Sequence, residues 1–180
     1  NVDPTLRETL ITRGDVDAIT GFYFTSLLNL EERGMSEDEL TIMPFPDYGV
    51  PLYGNAIIAS ESFAEENPEA VQGFLRAFNR ALGDTIADPE AAIEYVKNRD
   101  GLIDVEMETR RLKLALDGVV DTPEVRENGV GGVDDERLAQ AIQLVADAYD
   151  LTSIPSPDQV FSSNYLPAQE ERMLFPAEGE

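Results

Sequence analysis

Five times in this chain a residue with a short, oxygen-bearing side chain stands directly before a proline. The pairs are Asp3-Pro4, Asn67-Pro68, Asp88-Pro89, Thr122-Pro123 and Ser156-Pro157. The oxygen of such a residue can accept a bond from a free N–H of a first helical turn. Proline at the first helical position loses no needed donor, and its fixed φ already suits the helix. Each pair therefore predicts a helix start.

The first helix is predicted from Pro4 to about Thr12, stopped at Gly14, and a second from about Tyr23 to Arg33, with Gly34 after its end. The strongest periodic segment holds Val71, Phe74, Leu75, Phe78 and Leu82 on one stripe. Its Phe74/Phe78 pair is read as core. Further helices are expected from Pro89, from Asp104 through Val119, and from Asp134 with Leu138, Ile142, Val145 and Tyr149 inward. Three short runs read as strands: Asp17 to Gly21, Leu40 to Phe45, and Ala56 to Ala59, the last apolar enough to be buried on both faces. Strands and helices alternate early, which implies an α/β fold with a partly parallel sheet.

Composition excludes several functions. There is no cysteine and no histidine. Disulfides, thiolate metal sites, a Ser-His-Asp triad and a His-based zinc site cannot be built from this chain. The formal charge is −23, from 13 basic and 36 acidic residues. Such a surface repels phosphate backbones, so no nucleic-acid partner is expected. Of the basic residues only Lys97 and Lys113 are lysines. A strongly acidic, lysine-poor surface fits a protein that works in salty water, where screening weakens self-repulsion. No apolar run approaches the roughly 20 residues that span a bilayer, so no membrane insertion is expected. No signal peptide is visible at Asn1, and the chain reads as opening within folded sequence.

At the level of motifs the chain resembles type II periplasmic binding proteins, in the group that receives thiamine-pyrimidine precursors, taurine and nitrate. Gly14-Asp15-Val16-Asp17-Ala18, followed by Thr20-Gly21-Phe22, resembles that group's strand entry. Tyr53-Gly54-Asn55-Ala56-Ile57-Ile58-Ala59, with Phe63, Asn67-Pro68-Glu69, Val71, Phe74 and Ala77 after it, resembles its "Y-G-N-x-I-I-A … N-P-E-x-V" stretch. Asp88-Pro89-Glu90-Ala91-Ala92 and Asn164-Tyr165-Leu166-Pro167 resemble two later motifs. The resemblance covers about Leu6 to Arg172 and implies the carboxy-terminal part of a two-lobed protein. Residues 1–45 would belong to lobe II, 46–54 to a hinge crossover, and 55–172 to the mostly helical return of lobe I. An acidic tail, 173–180, would follow.

Two clusters are candidate ligand contacts. Thr20, Gly21, Phe22 and Tyr23 lie at the carboxyl end of a predicted strand entering a helix, where open α/β sheets bind ligands. Free N–H groups there can hold an anionic or carbonyl group, and Phe22 or Tyr23 can stack on a flat ring. Asp47, Tyr48, Tyr53 and Asn55 lie on the predicted crossover, at a cleft floor. Tyrosine offers stacking area and a hydroxyl, and Asp47 could pair with an amino group. The competing reading makes the aromatics packing residues and Asp47 part of an Asx-turn. The paired carboxylates Glu31-Glu32, Glu65-Glu66, Asp134-Asp135-Glu136 and Glu170-Glu171 lack the spaced pattern of a calcium loop and read as solvated faces. Arg110-Arg111 reads as a surface pair, and Gly129-Val130-Gly131-Gly132 as a flexible turn.

The resemblance implies a receptor rather than an enzyme: a periplasmic protein that binds a small polar or heteroaromatic molecule, a pyrimidine-type thiamine precursor favoured. It would hand that molecule to the membrane permease of an ABC transporter, with no cofactor and no metal. Taurine, sulfonate or nitrate receptors are alternatives. So is an enzyme of the same fold, since the group includes the eukaryotic thiamine-pyrimidine synthase, which consumes its own histidine and uses iron.

Overall fold

A computed structural model describes residues 2–175 of the chain. All five prolines that follow a capping residue stand at the first position of a helical segment. Pro4 opens a 3-10 turn, Pro4–Leu6, that leads into α1, Arg7–Thr12. Pro68 opens α4, Pro68–Ala87, and Pro89 opens α5, Pro89–Arg99. Pro123 opens α7, Pro123–Asn128, and Pro157 opens α9, Pro157–Val160. The other helices are α2, Tyr23–Glu31; α3, Glu61–Glu66; α6, Val105–Ala115; and α8, Asp135–Ala148. Asp104, Thr122 and Asp134 cap as their chemistry dictates. Their side-chain oxygens accept from the amides of Met107 at 3.0 Å, Val125 at 3.2 Å and Arg137 at 2.8 Å. Asp104's helix ends at Ala115, and Leu116–Val120 continue as a π-helical turn.

No strand forms among the described residues, which corrects the three strand assignments at 17–21, 40–45 and 56–59. The physical reason is that a strand is a pairwise structure. Apolar, β-branched chain can lie extended, but it becomes a ladder only when another backbone meets its N–H and C=O groups. α3 went unread; its signal is Ser60, whose hydroxyl accepts from the Phe63 amide at 3.3 Å.

The chain forms two compact units, Asn1–Ile42 with Pro89–Asp117, and Met43–Asp88 with Gly118–Glu180. Pro89–Asp117 cluster with the opening segment.

In the first unit α6 packs on α2 and on α5, and α1 packs on α2. The core holds Leu27, Leu28 and Leu30 from α2, with Ile93 and Leu116. Arg110 and Arg111 are not a simple surface pair. Arg110 grips Glu31 with both terminal nitrogens, one of them 3.0 Å from Oε1. Arg111 is largely covered: it donates to the carbonyls of Phe24 and Thr25 and pairs with Glu108 at 3.1 Å.

In the second unit α3 packs on α4 and α8 on α9. Ala64, Leu138, Ala141, Ala146 and Pro167 are buried there. The Phe74/Phe78 stripe, read as core, is instead exposed. Phe74 is 57% and Phe78 43% accessible, the rings stack 6.4 Å apart, and the buried residue of α4 is Asn79. Helical period identifies which residues share a stripe; it does not say that a neighbour covers the stripe. The Gly129–Gly132 turn is packed rather than loose. Gly129 is buried at φ 81°, where a Cβ would sit 2.9 Å from that of Arg172. The Val130 amide donates to the Arg172 carbonyl at 2.9 Å, and the Arg172 side chain returns a bond to the Val130 carbonyl at 3.0 Å.

Candidate functional site

Thr20, Gly21, Phe22 and Tyr23 come together at the entry to α2, in the first unit. The Thr20 carbonyl accepts from the guanidinium of Arg7. Gly21 lies over Ser26: a Cβ there would be 2.2 Å from the serine Oγ, so any larger residue must displace that hydroxyl. Ser26 in turn donates to the buried carboxylate of Glu8 at 3.0 Å. Phe22 is the N-cap residue and offers no side-chain oxygen. Its carbonyl accepts from Thr25 and Ser26, while the amides of Tyr23 and Phe24 have no acceptor among the described residues. The Phe22 ring is 56% accessible and stacks on Phe24 with centroids 5.5 Å apart. An exposed aromatic face therefore stands beside two open helix-start donors. Tyr23 takes part differently. Burial raises its phenol above the ordinary range, and the charge of Glu37 and a hydrogen bond to that carboxylate act the same way.

The second cluster is divided by what its members touch. Asp47 and Tyr48 belong to an exposed 3-10 turn, Phe45–Tyr48, closed by Gly49 at φ 79°. The turn rests on backbone bonds from Asp47 to Pro44 and from Gly49 to Pro46. Tyr48 is 61% accessible, and Asn55 is exposed. Tyr53 is engaged within the protein. Its hydroxyl donates to Glu124 Oε1 at 2.8 Å and accepts from the Asp134 amide at 2.8 Å. Arg137 covers its ring and pairs with Glu124 at 2.6 Å. That guanidinium also donates to the carbonyls of Pro51 at 3.1 Å and Leu52 at 3.2 Å. Tyr53 is thus a strut that fixes residues 51–53 to the starts of α7 and α8. Sequence reasoning missed Glu124 and Arg137, which stand 71 and 84 positions along; no local pattern links them to a tyrosine.

An open groove of about 550 Å³ lies in the first unit, lined by Glu90, Val105, Glu106, Thr109, Arg110 and Lys113. None of the eight candidate residues lines it. Both of its cations are already paired, Lys113 with Glu90 and Arg110 with Glu31. No helix among the described residues is long and apolar enough to cross a membrane.

A family model described as NMT1/THI5 like matches residues 2–92. The chain belongs to the NMT1/THI5-like family. All eight candidate contacts fall inside the matched region, in agreement with the motifs between Gly14 and Ala92. This NMT1/THI5-like chain is also 33% identical, over 92 residues, to a 4-amino-5-hydroxymethyl-2-methylpyrimidine phosphate synthase of Aspergillus parasiticus. The aligned part is 47% of this chain and 27% of that relative, so the chain spans about a quarter of the relative's length. No solved structure matches. The relative is a synthase, and this overturns the expectation that the protein is not an enzyme.

Proposed function

We propose that this chain is a pyrimidine-binding part of a 4-amino-5-hydroxymethyl-2-methylpyrimidine phosphate synthase-type enzyme. The observation that carries the reading is its 33% identity to such a synthase, within a family whose model matches residues 2–92. The entry of α2 is suited to that ligand class. Phe22 presents a flat face on which a pyrimidine ring can stack. The open amides of Tyr23 and Phe24 stand at the positive end of a nine-residue helix, where a phosphate group finds donors and a favourable field.

The chemistry that the resemblance attaches to the eukaryotic synthase, a consumed histidine and iron, does not fit the residues present here. The sequence has no histidine. Among the described residues no group of three or more acidic side chains is placed to hold a metal ion. The part proposed for these residues is therefore to bind and orient the pyrimidine, with no bond-making step assigned to them.

Calorimetric titration with the hydroxymethylpyrimidine phosphate tests this reading. Saturable binding is expected, weakened at least tenfold in Phe22→Ala. Binding of taurine or nitrate with no response to the pyrimidine would overturn it. So would pyrimidine binding that is indifferent to Phe22.

A further inference from the structure

α1 brings two adjacent residues, Arg7 and Glu8, against the entry of α2. The Arg7 guanidinium donates to the Thr20 carbonyl, ahead of the turn into the helix. The Glu8 carboxylate accepts from the Ser26 hydroxyl at 3.0 Å, at the end of the first turn. The two bonds bracket residues 20–26, with Phe22 between them, and Gly21 rests against the same Ser26 hydroxyl. Arg7, Glu8 and the segment they hold lie in one compact unit and inside the family-matched stretch.

Packing alone does not account for Glu8. It is 7% accessible, and no cation pairs with it among the described residues. Taking a carboxyl group out of water opposes folding, and a leucine of similar size would fill the place without that penalty. Among the described residues the Glu8 side chain makes one hydrogen bond, and it goes to the entry of α2.

We propose that Arg7 and Glu8 are positioning residues for the ligand site at the start of α2. Arg7 fixes the Thr20–Gly21 peptide and Glu8 fixes the Ser26 hydroxyl, so together they set where the Phe22 ring and the Tyr23 and Phe24 amides stand. Their own contribution is to order the segment before the ligand arrives. An entry that has to be ordered on binding loses that free energy from the affinity.

The proposal rests on the pyrimidine reading for its ligand, and calorimetric titration of the 180-residue chain with hydroxymethylpyrimidine phosphate tests it, beside urea midpoints. Glu8→Leu should bind roughly tenfold more weakly with a urea midpoint that is unchanged or higher, since a buried charge is replaced by an apolar side chain. Glu8→Gln keeps an oxygen for Ser26 and should retain the affinity. Arg7→Met should weaken binding, and Arg7→Lys, which keeps a donor, should restore most of it. In a Phe22→Ala background the losses from Arg7→Met and Glu8→Leu should disappear, because both residues act through the placement of that ring. Affinity untouched by Arg7→Met and Glu8→Leu overturns the proposal while leaving the pyrimidine reading in place. So do losses that track lowered urea midpoints, or that add in full to Phe22→Ala. If Glu8→Leu does not fold, the half-buried Arg7 decides through its methionine and lysine variants. An unaltered chain that binds no pyrimidine overturns the functional reading, and this proposal with it.

Discussion

The guanidinium of Arg137 lies 4.1 Å from the centroid of the Tyr53 ring, while the Tyr53 hydroxyl reaches the carboxylate that Arg137 also holds, Glu124. Ring, cation and carboxylate form a closed triangle. The cation meets the negative face of the ring, and the carboxylate accepts from both partners. Tyr53→Phe keeps the ring under Arg137 and removes only the hydroxyl. It should cost about 1–2 kcal/mol in urea denaturation, since the bond to Glu124 and the acceptor for the Asp134 amide are both lost. Tyr53→Ala should cost more, as the face beneath Arg137 is lost too. If Tyr53 is a strut and not a ligand contact, Tyr53→Phe leaves pyrimidine affinity unchanged.

Gly21 and Ser26 should show strong coupling. A Cβ on residue 21 would overlap the Ser26 Oγ at 2.2 Å, but it would be 3.4 Å from the Ser26 Cβ. Gly21→Ala alone must push the hydroxyl away from Glu8 or shift the entry of α2, a cost of about 1–3 kcal/mol. Ser26→Ala removes the obstacle and also the hydrogen bond to Glu8. The double variant should therefore be clearly more stable than the sum of the two single losses predicts. A denaturation cycle in which the two changes simply add would show that the overlap is relieved elsewhere.

The sequence announced the helices better than the packing, and the reason is physical. Asp104, Thr122 and Asp134 act within three residues of themselves, so their caps were readable from local chemistry. The Phe74/Phe78 stripe was equally readable as a stripe, but its exposure depends on what lies across from it. The same holds for residues 56–59, whose apolar character is plain and whose ladder partner is not a local property. In the candidate site, Phe22 at the start of a helix was legible. The engagement of Tyr53 was not, because Glu124, Asp134 and Arg137 approach it from 71 to 84 positions away.

Stability should form a plateau in pH with different groups at its two edges. Arg110's hydrogen bond lowers the Glu31 carboxyl below its ordinary value near 4.5. A depressed folded value means the contribution is present above about 4.5 and fades as pH falls through the lowered value. Burial raises the Tyr53 phenol above its ordinary value near 10, and Glu124 acts in the same sense. A raised folded value means that contribution is complete below about 10 and fades as pH climbs past it. Urea midpoints measured across this range should therefore fall at both ends. Arg110→Ala should make the acid edge shallower, and Tyr53→Phe the alkaline one. The effect at the acid edge is small, because the Arg110 side chain is half exposed.

Salt sets two electrostatic effects against each other. Exposed pairs such as Lys97 with Glu94 lose attraction when screened, but each is worth little in water. Against them stands the mutual repulsion of 36 acidic residues balanced by only 13 basic ones. That repulsion acts over long distances at low ionic strength. The screening length falls from about 30 Å at 0.01 M salt to about 3 Å at 1 M. Relief of the long-range term should win, so the melting temperature followed by circular dichroism should rise with potassium chloride, most steeply at the low end. Replacing several exposed glutamates by glutamine, away from Glu31, Glu90 and Glu124, should reduce that rise. A melting temperature that stays flat or falls with salt would mean that local ion pairs outweigh the net charge.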